Sequence, residues 1–185
     1  MVLLTLFLIP ALMLSDYYLT LIGERLRQQS ESRRLVRLES YELNPLFRKD
    51  VARLRWFNWR HLAATAGITA LMVFLAYGYV LEVSPVPFLG ILGFYAVLFG
   101  VIIGRHLQSI LAFADTLKQP QVDVETAQKP IISLEDTLKL TQGSNISLLP
   151  PFGLCALISR SEFMVGGFGG ILMLILMNFI WLKQH

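Results

Sequence analysis

From Met164 to Leu182 the chain carries no charged residue, and that one fact confines it to a narrow set of folds. A helix crossing a hydrocarbon layer of roughly 30 Å needs about 20 mainly apolar residues at 1.5 Å each. The segment 163–182 meets that need, as do 61–81 and 88–110, the last continuing helically past Arg105. A fourth block, 2–22, is interrupted only by Pro10 and Asp16. In lipid every backbone N–H and C=O must be satisfied within the segment, so such blocks form helices. The expected fold is all-α, a polytopic membrane protein whose four-transmembrane-helix bundle forms a single domain over 1–185. Composition agrees, with 16% charged residues where a soluble domain has about 25%. The first residues lack the basic start of a secretory signal, so 2–22 reads as a retained helix.

Charge sets the orientation. Ten of the sixteen Lys and Arg residues fall in the loop 24–60, five more in or beside the loop 115–162, and the C-terminal tail adds only Lys183. Basic loops stay in the cytoplasm, which predicts an integral membrane protein with both long loops in the cytoplasm and both termini outside. Within the first loop, Asn44 and Pro45 read as an N-cap and first helical residue. Phe47, Val51 and Leu54 then share one face, with Arg48, Lys49, Arg53 and Arg55 off it. That spacing predicts a basic amphipathic helix over 44–57, its cations contacting anionic inner-leaflet headgroups. Trp56, Trp59 and Trp181 stand where interfacial aromatics belong. In the second loop, 119–123 is linker-like, Ser133 caps a short helix, and the apolar run 148–158 is too short to cross, hence interfacial or re-entrant. Small residues four apart, Gly100 with Gly104 and Gly166 with Gly170, suit close helix packing within the chain, in a homo-oligomer or against a membrane-protein partner. No nucleic-acid partner is expected.

The residues able to carry chemistry are few. The single Cys155 precludes an internal disulfide. A carboxylate inside a spanning helix is costly and normally faces a partner or water, which singles out Asp16, with Thr20 one turn later. Glu42 precedes the surface helix, and Arg105, His106, Gln108 and Asp115 follow the third span; His61 opens the second and reads as an interfacial group. Asp16, Glu42 and His106 are the candidate catalytic residues, suited to acid–base work. Together with Asp115 they are also candidate ligands for a divalent metal. No HExxH, nucleophile elbow, CxxC pair or phosphate loop is present.

The pattern Asp16-x-x-x-Thr20 followed by Glu42-Leu43-Asn44-Pro45 resembles a family of small uncharacterised prokaryotic polytopic membrane proteins. Their first span carries Asp-x-x-x-Thr, and a Glu-x-Asn-Pro lies near the next segment. The resemblance covers the first third of the chain, with a long charged insert between the two halves. It implies that Asp16, Thr20, Glu42, Asn44 and Pro45 form one local structure. Three readings of function follow. The first is an accessory or interaction protein acting through a basic inner face; the second is an intramembrane enzyme built on Asp16, Glu42 and His106. The third is an oligomeric transporter or channel. Convergence of those three side chains on one water-reachable cavity separates the second from the first.

Overall fold

The structure, a computed structural model, describes residues 2–32, 37–38, 41–81, 85–118 and 131–183. Seven helices carry them: α1 (Val2–Ser32), α2 (Arg48–Ala52), α3 (Trp59–Val80), α4 (Pro85–Lys118), α5 (Leu134–Ser147), α6 (Leu149–Ser159) and α7 (Glu162–Lys183). Two-residue strands, Arg37–Leu38 and Ile131–Ile132, pair in parallel and tie the two long loops together. Among the described residues three helices are long and apolar enough to cross a membrane: α3, α4 from Pro87 onward, and α7. They match the spans read at 61–81, 88–110 and 163–182. The linker read at 119–123 lies outside the described residues.

Local signals behave as the side chains dictate. Asn58 caps α3, its side chain accepting from the backbone N–H groups of Arg60 and His61. Ser133 caps α5 by accepting from the Asp136 N–H at 3.0 Å. α1 continues through Pro10. The helix expected over 44–57 is shorter than its spacing suggested: α2 has five residues. The Asn44 carbonyl accepts from Phe47 and Arg48 N–H, and Leu54 takes a left-handed φ of 49°, which turns the chain before a second helical turn can form. Val51 anchors the segment by burying against Tyr17 and Leu21 of α1.

Helix direction follows from contacts. Asp16 and Thr20 of α1 reach His106 of α4, whereas Ile9 joins Met72, Ala76 and Phe88 in the core cluster. Tyr79 meets Phe88 across the α3–α4 hairpin, and His61 at the start of α3 bonds Met13 of α1. α1 and α4 therefore run parallel and in direct contact, with α3 antiparallel to both. Glycines seat α7 on α4: Gly166 faces Gly90, and Gly170 faces Phe94 and Leu98. The numbers rise together, so α7 is also parallel to α4. Gly153 of α6 packs on Phe168, which sends α5 and α6 back along α7 in the opposite sense. The beginning of α1 and the end of α7 thus lie at opposite ends of the bundle. The apolar run 148–158 folds as α6. Pro150 and Pro151 stand in its first turn, where proline is tolerated.

Candidate functional site

A carboxylate in an apolar helix demands a partner, and here the partner is an imidazole. His106 Nε2 lies 3.0 Å from Asp16 Oδ1 and 3.0 Å from Thr20 Oγ1. The Thr20 hydroxyl spends its only proton on the Asp16 backbone carbonyl at 2.8 Å, so toward the imidazole it can only accept. Both neighbours of Nε2 are then acceptors, and Nε2 must carry the hydrogen. In the neutral ring Nδ1 is an acceptor, and the Tyr41 hydroxyl, 3.1 Å away, donates to it. The result is a directed chain, Tyr41 O–H to His106 to the Asp16 carboxylate, with the Tyr41 ring stacked on the imidazole. Gly23 makes room for it: a Cβ there would overlap the Tyr41 phenol.

Glu42 joins the same cavity. Its Oε1 accepts the backbone N–H of Asn44 at 2.6 Å, and the Asn44 side chain accepts from the Leu46 N–H at 3.0 Å. Burial pushes the Glu42 carboxyl up to about 7. The Asn44 N–H opposes that shift, the charge on Asp16 adds to it, and Arg48 and Arg105 oppose it. Burial likewise pushes the Tyr41 phenol up, which keeps it a donor at neutral pH. The raised carboxyl has a stability consequence. Folded Glu42 holds its proton up to about pH 7, whereas the unfolded chain releases it near 4.5. The folded state therefore binds more protons across that window, and its stability falls as pH rises through it, by on the order of 3 kcal/mol. Glu42→Gln should remove this dependence. Melting of both proteins in detergent between pH 4.5 and 8 should show the variant gaining on wild type as pH rises, and parallel curves would contradict it.

The cavity has a volume of about 680 Å³, within the roughly 300–1,000 Å³ of small-molecule sites. Asp16, Tyr41, Glu42, Arg105, His106 and Asn178 line its polar part; Met13, Leu98, Phe99, Ile102, Leu174 and Met177 form an apolar wall. Thr137, Thr141 and Ser144 of α5 close another side, so one polar face of α5 borders the cavity.

The candidate residues read from sequence thus divide. Asp16, Thr20, Glu42, Asn44 and His106 come together on this cavity. Asp115 does not: it pairs with Lys118 at 3.0 Å and stands about three-quarters exposed. Among the described residues no group of three or more His, Cys, Asp or Glu side chains could hold a metal ion. His61 is not an interfacial group but a buried one, 3.1 Å from the Met13 carbonyl oxygen and stacked on Tyr17. Of the expected headgroup contacts, Lys49 and Arg53 are exposed. Arg55 pairs with Asp50 at 2.9 Å, and Arg48 acts on Glu42. Sequence reading missed Tyr41, whose only signal was its place beside Glu42, and Asn178, a lone amide in an apolar helix. Comparison with family models, curated proteins and solved structures finds no match to this chain.

Proposed function

We propose that the protein is an intramembrane enzyme that performs general acid–base chemistry on a membrane-derived amphiphile. The observation that carries this reading is the convergence of Asp16, Tyr41, Glu42, Arg105 and His106 on one cavity with an apolar wall. Glu42 is the acid–base group, since a carboxyl poised near the ambient pH both takes and returns a proton efficiently. Asp16 fixes the imidazole of His106, and His106 in turn fixes the Tyr41 hydroxyl. Those two are positioning residues.

The membrane arrangement belongs to the same proposal. α1 supplies the fourth crossing helix. The α5–α6 passage, some 39 Å long if its 1.5 Å rise per residue is kept through the break, supplies a fifth. A broken helix with polar backbone and side chains is tolerated at that depth when it lines a cavity. Of the described Lys and Arg residues, only Arg160 then stands at the outer end, so the basic end is cytoplasmic. The chain belongs to the resembling family on this reading, with Asp16, Thr20, Glu42, Asn44 and Pro45 as its shared local structure.

The test uses the full chain in vesicles of total membrane lipid extract, with mass spectrometry of every component before and after incubation. Wild type should consume one component and produce another, faster as pH rises through about 7. Glu42→Gln should slow this by about a hundredfold or more, the scale of a lost acid–base group. Unchanged lipid under all conditions, or a Glu42→Gln variant as fast as wild type, would sink the reading. One observation then favours the interaction-protein alternative: exposed Leu46, Trp56, Phe57 and Trp59 beside Lys49 and Arg53 form a headgroup-facing band.

A further inference from the structure

Two hydrogen-bond donors in the cavity are buried and unspent. Arg105 lies among Asp16 and Glu42, yet it makes no hydrogen bond or ion pair with either among the described residues, and its Nη1 is buried without a partner. Asn178, 2% exposed, lines the same cavity from α7 with its Nδ2 unpaired. The charges of Asp16 and Glu42 act on the guanidinium, but natural interiors rarely leave a buried donor such as Nη1 without a hydrogen bond. The nearby acids do not resolve it. Asp16 is engaged by His106 Nε2–H, and Glu42 accepts the Asn44 N–H. Among the described residues nothing supplies the matching acceptor.

We infer that the cavity receives an anionic headgroup, phosphate or carboxylate, held by Arg105 and Asn178, with its apolar tail along Leu98, Ile102, Leu174 and Met177. The shape supports the assignment. Arg105 stands one turn beyond Ile102 on α4, and Asn178 one turn beyond Leu174 on α7. On these two parallel helices the polar ends therefore sit at matching heights above one apolar strip. Arginine is also the side chain whose planar fork matches an oxyanion in two bonds at once. This inference rests on the reading of the cavity as a substrate site and adds the class of substrate.

The probe is dodecyl phosphate carrying a bromine near its chain end, added to the full chain in a neutral sugar detergent. Trp181 lines the cavity, and in a Trp56→Phe, Trp59→Phe background it is the only tryptophan left. Its fluorescence should be quenched saturably. Arg105→Gln should weaken this at least about tenfold, the loss expected for a charge-assisted hydrogen bond. Arg105→Lys, which keeps the charge but not the fork, should fall between, and it serves if the glutamine variant does not fold. Asn178→Leu should weaken it less. Inorganic phosphate that competes at equal concentration identifies a free anion as the source, whereas competition only by alkyl phosphates identifies a lipid. Equal quenching by the matching dodecyl trimethylammonium, or an Arg105→Gln variant that binds as tightly as wild type, overturns the inference. Because no turnover is needed, lost binding with intact lipid conversion removes the anionic class alone. Intact binding without conversion removes the enzyme and keeps the anion site.

Discussion

Gly166→Val should separate α7 from α4 and leave little of the protein folded in detergent. A Cβ at position 166 would overlap the Gly90 carbonyl, and one at Gly93 would overlap the Phe163 carbonyl. In both places the obstacle is backbone, which cannot rotate aside as a flexible side chain would. The axes must move apart instead, and that forfeits dispersion contacts along the whole seam, the main attraction between helices in lipid. Overpacking a core costs typically 1–3 kcal/mol and occasionally more; with a rigid obstacle the cost here should reach on the order of 3 kcal/mol. Gly100→Val is the control. A Cβ there meets nothing within 4 Å, so it should melt near wild type. Unfolding curves of the two variants in one detergent decide the matter, and similar melting would contradict the seam.

Labelling should place the two ends of the last helix on opposite faces of the membrane. With the exposed Cys155 replaced by serine, Ser161→Cys should react with an impermeant maleimide in intact cells. Lys183→Cys should react only after permeabilisation, together with a cysteine at Lys49. The effect is all-or-none, because a bilayer-impermeant reagent either reaches a site or does not. Labelling of Lys183→Cys from outside would contradict the five-passage arrangement and return the chain to four crossings with both ends outside.

That second result marks the boundary between what sequence alone determined and what needed the fold. Three spanning helices were legible because hydropathy acts locally: a run such as 163–182 is apolar whatever surrounds it, and lipid leaves it no alternative to a helix. The acidic and imidazole candidates were legible for a similar reason, since a charge within an apolar helix announces its own desolvation cost. The α5–α6 passage was not legible. α5 is as polar as a surface helix, and its residence beside α7 depends on a cavity that exists only once α1, α4 and α7 have assembled. On the proposed arrangement the direction of α7 follows from that passage, because one added passage inverts every later one.

At the site, Asp16 and His106 were both named, but ninety residues of chain separate them and no local rule pairs them. Tyr41 was invisible, as a tyrosine in a charged loop declares nothing until Gly23 opens a place for its ring against His106. Asn178 and Arg105 show the same limit. Each is an ordinary residue on its own helix, and only the parallel seating of α7 on α4 brings both donors to one cavity. Sequence thus determined three segments apolar enough to cross a membrane and which side chains would be costly there. Tertiary structure alone decided which of those side chains answer one another, because hydrogen bonds and ion pairs act over a few ångströms in space, without regard to distance along the chain.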